Sequence, residues 1–209
     1  DELGYQTEAE RDGKGGCGLV DGQWKQDPRF VWNRELGFEQ ADDHPVVNVT
    51  WNDAVALSNW LSKAEGKKYR LPTEAEWEKV ARGVDRRSYP WGNAAPDCSL
   101  TNYWTSEGGC VGDTSQVGSY LLGASPYGAL DLAGNVWEWV ADWYDPAYYA
   151  QSPAQDPHGS QAGEFRTLRG GGWRSLAAQL RVTNRSSGKP EHATDGEIGI
   201  RCAWSATVP

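Results

Sequence analysis

Residues 168–204 read LRGGGWRSLAAQLRVTNRSSGKPEHATDGEIGIRCAW. Both ends of this stretch are tightly specified: three glycines run into Trp173 at the front, and IGIRCAW closes the back. The middle is different. RSLAAQ, SSGK and HATDGE follow neither a helical nor a strand period. Glycine reaches backbone conformations closed to other residues, a buried indole fills volume, and a guanidinium makes charge-assisted hydrogen bonds. Gly, Trp and Arg can therefore fix a backbone. Side chains pointing outward from such a frame change with effects of only about ±0.5 kcal/mol on folding. The stretch thus reads as a firm frame with exchangeable filling.

The rest of the chain bounds what that frame can serve. The 209 residues suit one domain, long enough to bury a real core. The formal net charge is -9, from 29 acidic and 20 basic residues. A polyanion such as DNA is repelled by the bulk of this surface, so no nucleic-acid partner is expected. Oxygen ligands for a hard cation fit the composition better. With 12 Trp, 25 Gly and no Met, the chain predicts a turn-rich fold pinned by large rings. No apolar run approaches the ~20 residues of a membrane-spanning helix, so no membrane span is expected. No signal peptide is visible, and the start at DELGYQ without Met suggests a processed or truncated piece. The compartment stays open, with a cell-surface or secreted setting among the alternatives.

Upstream of the frame the pattern is mixed. Residues 1–45 are polar and irregular, with DGKGGCG as a loop. HPVVNVTW, residues 44–51, alternates Val46, Val47 and Val49 with polar neighbours and predicts a strand. In the run that follows, Ala54, Leu57, Leu61 and Ala64 sit at helical spacing and Gly66 ends it. RLPTEAEWEKVARG predicts a second helix. Thr73 and Glu76 form its capping box, Trp77, Val80 and Ala81 its buried side, and Gly83 its stop. Glu74 and Glu78 are expected to face water. Beyond residue 84 only short strand-like pieces occur, NVWEWVADWY, RTLRGG and IGIRCAW, with an exposed loop from Asp145 to Glu164. Two helices followed by short strands and long loops predict an α+β domain.

Four cysteines, Cys17, Cys98, Cys110 and Cys202, allow three pairings. Cys98 and Cys110 lie close together in a Gly-, Asp- and Ser-rich loop, where a disulfide contributes about 2–3 kcal/mol. Cys17 with Cys202 is a long-range alternative, and four free thiols another. No CxxC or Cys/His cluster predicts a structural zinc site.

HPVVNVTWNDAVALSNWL, YRLPTEAEWEKVARG, YPWGN, SPYGALDLAGNVWEWVADWY, LRGGGW and IGIRCAW occur in that order. Together they resemble the formylglycine-generating enzyme family, also called sulfatase-modifying factors. The likeness runs from about Gly4 to Trp204 and includes GYQTEAER, while the family's usual opening strands are missing. It implies a single domain over residues 1–209 with a C-type lectin-like fold: two helices, short antiparallel strands and long loops.

Active members of that family oxidise a cysteine of a sulfatase to formylglycine, using a cysteine pair that binds copper(I) just after the RGG segment. Soft thiolates are what copper(I) requires. Here Ser175 and Leu180 stand where the pair would be, and GGGWRSLAAQLRVTNR contains no Cys. Neither residue supplies a thiolate, so no copper and no catalytic residues are expected.

A second branch, the variable proteins of diversity-generating retroelements, matches residues 168–204 better. Its frame resembles RGG-x-W, LR-x-x-x-R, P and IGFR. Arg169, Gly170, Gly171, Trp173, Leu180, Arg181, Arg185, Pro190, Ile198, Gly199 and Arg201 fall on frame positions. Between them lie Arg174, Ser175, Ala177, Ala178, Gln179, Ser186, Ser187, Lys189, His192, Thr194, Asp195 and Glu197. With Trp173, these are the expected contacts to a protein or cell-surface ligand. The resemblance therefore implies a non-catalytic binding protein. The alternatives are an oxidoreductase of the formylglycine-generating type and an inactive relative serving as an interaction module.

The same resemblance implies calcium. Asp131 and Glu138 would give side-chain oxygens and Gly134 and Val136 backbone carbonyls, with Asp131 standing where the family commonly has Asn. Asn102, the Tyr103 carbonyl and Asp113 would form a second site, in a loop of altered length. Calcium takes six to eight oxygen ligands in loose geometry, which irregular backbone near carboxylates can supply. Of the three histidines, His44 and His158 suggest no triad, and His192 falls among the exchangeable positions.

Overall fold

A computed structural model describes residues 4–34, 36–38, 40–191 and 195–205. The elements in chain order are α1 (Glu8–Arg11), β1 (Gly16–Val20), β2 (Gln23–Asp27), α2 (Trp51–Glu65), β3 (Tyr69–Arg70), α3 (Glu74–Arg82), β4 (Trp104–Thr105), β5 (Gly108–Gly109), β6 (Trp137–Trp143), β7 (Arg166–Arg169), β8 (Ser186–Gly188), β9 (Ile198–Ile200) and β10 (Ala203–Trp204). Four strands form the central sheet in the order β8-β7-β6-β9, and three two-stranded ribbons surround it. The mixed α+β architecture is the expected one. One pair departs from it: β9 runs parallel to β6, while the other pairs are antiparallel.

Both long helices begin and end where the sequence says they should. Thr50 caps α2 through a reciprocal box with Asp53, and Gly66 closes it at φ 68°. Thr73 and Glu76 do the same for α3, with Gly83 at its end. At each helix start the box thus satisfies two backbone donors by side chains rather than water.

The buried face of α2 is rotated from the expected one. Trp51, Ala54, Val55 and Ser58 turn inward, against Leu71, Trp137, Trp139, Leu168 and Ile198. Leu57 and Ala64 are exposed. The Trp51 ring N–H donates to the Val140 carbonyl at 2.9 Å, which fixes the rotation. In α3, Trp77 and Ala81 are buried as expected, but Val80 is exposed. Glu74 is the larger correction: it is only 1% exposed. Arginine partners from the C-terminal segment make its burial affordable.

The N-terminal part is more regular than its sequence suggests. It contains α1 and the β1–β2 hairpin, which absorbs the end of DGKGGCG. The expected strand over residues 44–51 does not form. Asn48 there has φ 57°, which interrupts any ladder. Its amide instead accepts from the Cys17 N–H and donates to the Cys17 carbonyl, both at 3.1 Å, taking the place of a strand partner. A Cβ on Gly16 would come within 2.2 Å of that amide, so only glycine fits. Cys98 and Cys110 are joined in a disulfide, whereas Cys17 and Cys202 are free.

Candidate functional site

The frame of residues 168–204 is built into the interior. Arg169, at the end of β7, is 0% exposed. It donates to Glu74 at 3.0 Å, to Glu78 at 2.8 Å and to the Val182 carbonyl, and lies 5.0 Å from the Trp77 ring centroid. Arg185 grips Glu74 through two bonds of 2.6 and 2.8 Å. Two guanidiniums on one carboxylate explain why that group can leave water. At the other end, Arg201 binds Glu138 through bonds of 2.6 and 2.9 Å, and the Trp77 ring N–H donates to the same carboxylate at 2.7 Å.

Between these anchors the chain makes a compact turn. Gly171 has φ 80°, and a Cβ there would meet Leu180 at 2.7 Å. Trp173 sits between Trp24 and Phe38, each at 5.7 Å between centroids, and donates to the Gly196 carbonyl at 3.3 Å. Ser175 accepts from the Gly172 N–H at 3.0 Å, and its own carbonyl accepts from Trp104 N–H at 3.0 Å. Both Ser175 and Leu180 are buried.

The expected contact residues divide into groups. Arg174, Ala178, Gln179 and Lys189 are exposed. Ala177, Ser186 and Ser187 are half-buried, the two serines in the edge strand β8. Trp173 and Ser175 are interior, which corrects their expected place on a contact face: one fills a ring cluster and the other holds a turn. His192 and Thr194 lie outside the described residues. Two exposed apolar side chains beside the turn, Leu176 at 56% and Trp104 at 40%, carry no sequence signal of a contact residue. Both residue types read as core, and only the backbone path reveals that they face outward. Arg174 stacks 4.3 Å over the Trp24 ring, and Arg181 lies 5.9 Å over that of Tyr89. The outward face of the turn is therefore cationic and aromatic.

Asp195 and Glu197 are half-buried carboxylates near Arg174. Burial raises both above their ordinary values, Glu197 to about 7 with Asp195 adding to the effect, while Arg174 opposes it. The Glu197 Oε2 atom is buried without a hydrogen-bond partner among the described residues.

For cations, the geometry separates the two expected sets. Glu138 is committed to Arg201 and Trp77, and Asp131 accepts the Gly118 N–H at 2.6 Å. The guanidinium of Arg201 already supplies the charge a metal would bring, so the set of Asp131, Gly134, Val136 and Glu138 fits calcium poorly. Asn102 is different. It is 1% exposed, its amide donates to the Asp113 carbonyl at 2.7 Å, and its Oδ1 is buried without a hydrogen-bond partner among the described residues. The adjacent Tyr103 carbonyl accepts from Cys110 N–H at 3.0 Å and keeps a second lone pair. An orphaned buried oxygen beside backbone carbonyls suits a hard cation. No group of three or more His, Cys, Asp or Glu side chains able to hold a metal occurs among the described residues.

Comparison with known proteins agrees with this frame. The profile of the sulfatase-modifying factor enzyme 1-like domain matches residues 3–206. A formylglycine-generating enzyme of Streptomyces coelicolor is 43% identical over 180 residues, covering 79% of this chain and 54% of the relative. The inactive C-alpha-formylglycine-generating enzyme 2 of Mus musculus is 37% identical over 205 residues, covering 89% of this chain and 58% of the relative. The chain thus spans little more than half the length of these curated relatives. Among solved structures, PvdO from Pseudomonas aeruginosa aligns with TM-score 0.75 and 28% identity, over 92% of this chain and 72% of that one. Treponema denticola variable protein 1 aligns with TM-score 0.68 and 26% identity, over 78% of this chain and 72% of that one.

Proposed function

The chain belongs to the sulfatase-modifying factor family, and from that premise we propose that it is a binding protein rather than an oxidase. It uses the family scaffold to present side chains between Arg169 and Arg201 to a protein or cell-surface ligand, in the manner of a diversity-generating retroelement variable protein. The observation that carries this reading is the burial of Ser175 and Leu180 where active relatives hold their copper-binding cysteines. A hydroxyl tied to Gly172 and an aliphatic side chain offer copper(I) no ligand. The likeness to a variable protein and to an inactive enzyme of the same family supports it. The contact residues are Arg174, Ala178 and Gln179, with Leu176, Arg181 and Trp104 extending the surface. Aromatic and arginine side chains on a rigid turn are the types that anchor protein interfaces.

The deciding observation is genomic. A near-identical template repeat and a reverse transcriptase should lie beside the gene, and sibling isolates should differ at these positions. Absence of both would remove the variable-protein role. The second reading, an oxidase, is favoured by the 43% identity to an enzyme named as such. Incubation with copper(I) and a cysteine-containing sulfatase peptide separates the two, and formylglycine formation would overturn the first.

In either case Asn102, with the Tyr103 carbonyl and Asp113, is the set proposed to hold calcium. The ion there would supply charge to an otherwise unmet oxygen and tie the disulfide-bearing loop to the Ala133–Asn135 turn, whose Asn135 N–H donates to the Asn102 carbonyl at 2.8 Å.

A further inference from the structure

An open cavity of about 460 Å³ lies beside α3, with Tyr149, Thr183 and Arg185 on its other walls. Glu78, Lys79, Arg82, Tyr149, Thr183 and Arg185 line it. None belongs to the outward turn at Arg174–Gln179, so this concavity is separate from the surface already assigned.

Its charge is opposite to that of the molecule as a whole. Lys79, Arg82 and Arg185 line the cavity and Arg169 lies beneath it, bound to Glu74 and Glu78. Four cations thus meet two carboxylates, an excess of two positive charges on a chain whose formal net charge is -9. The ion pairs consume both carboxylates: Glu74 holds Arg169 and Arg185, and Glu78 holds Arg82 and Arg169. Lys79 makes no ion pair among the described residues, and neither the Tyr149 nor the Thr183 hydroxyl has a hydrogen-bond partner there. Burial, with Glu74 nearby, raises the Tyr149 hydroxyl, so it keeps its proton and remains a donor.

We propose that this cavity binds a small ligand through an oxyanion group, carboxylate or phosphate. Lys79 provides the charge, and the hydroxyls of Tyr149 and Thr183 donate hydrogen bonds. Arg82 and Arg185, held in place by their glutamates, supply a fixed positive field. Such donors are matched to the several lone pairs of an oxyanion. This goes beyond the binding reading above and does not depend on it.

The test is calorimetric titration of the whole chain at low ionic strength with sodium phosphate and, separately, sodium citrate, against sodium chloride and glucose as controls. Saturable binding of one or both anions is expected, with Kd about 0.1–1 mM. Lys79→Ala should weaken it at least tenfold and Lys79→Ala with Thr183→Ala should abolish it. Lys79 and Thr183 are exposed, so thermal melting of these variants should match the parent and exclude misfolding. Binding of phosphate alone assigns a phosphate-bearing ligand, and of citrate alone a carboxylate. No saturable heat with either anion, or an unchanged Kd in Lys79→Ala, overturns the proposal.

Discussion

Arg169 and Glu74 stand 3.0 Å apart with side-chain exposures of 0% and 2%, and they join the glycine-rich turn to the first turn of α3. Removing one partner strands a buried charge, which typically costs about 3–5 kcal/mol. Glu74→Ala leaves both Arg169 and Arg185 short of a counter-charge and should lower the melting temperature strongly. Glu74→Gln, which keeps the volume, should cost less. Denaturant unfolding of the two variants measures the difference, and equal, small losses would refute the buried network.

The division between frame and filling has its own signature. Trp173→Ala empties a ring site and should cost about 3–5 kcal/mol. The triple change Arg174→Ser, Ala178→Ser, Gln179→Ala should alter stability by no more than about 1 kcal/mol, since each position is exposed. Parallel melting curves decide this, and a collapse of the triple variant would mean that the turn is no exchangeable surface.

Stability should depend on pH through Glu197. Its value is raised from 4.5 to about 7, so the folded state holds a proton that the unfolded chain releases between those two values. The folded state binds more protons in that window, and stability should therefore be full at the acid end and fall as pH rises towards 7. The loss is on the order of 2 kcal/mol after allowance for residual exposure. Asp195, also raised by burial, should add in the same direction. Glu197→Gln should flatten the profile, and an unchanged slope between pH 5 and 7 would contradict the assignment.

Calcium at Asn102 is tested without any activity. Saturating calcium should raise the melting temperature by several degrees relative to excess chelator, because a ligand that binds only the folded state stabilises it by mass action. Asn102→Ala should remove that shift. Glu138→Gln should leave the calcium response intact while lowering overall stability, because that carboxylate is the counter-ion of Arg201.

Helix boundaries, the strands β6, β7 and β9 and the frame itself were legible because caps, glycines and Trp–Gly patterning act locally, whereas β8 lies in a stretch without strand period. Thr50 with Asp53 and Thr73 with Glu76 close boxes that need only four consecutive residues. What could not be read was set by partners distant in sequence. Glu74 looks like a solvated helix residue until Arg169 and Arg185 arrive from 95 and 111 positions away. The strand expected at residues 44–51 failed because Asn48 bonds to Cys17, 31 positions earlier. At the candidate site, Trp173 and Ser175 share the polar and aromatic character of a contact residue but fill the interior. Leu176 and Trp104 look like core and face outward.

The two anchors of residues 168–204 have one more consequence. Arg169 reaches Glu74, and Arg201 reaches Glu138, which in turn holds Trp77, so both ends of the segment are pinned through a single short helix. A tether with fixed endpoints pays only slowly for added links, about 0.6 kcal/mol for each doubling of its length. Leu180 and Val182 are buried and Arg185 is paired with Glu74, so the stretch after Lys189 is the part that can grow or shrink as well as change letters, and insertions after Lys189 should be accommodated while the anchors stay closed.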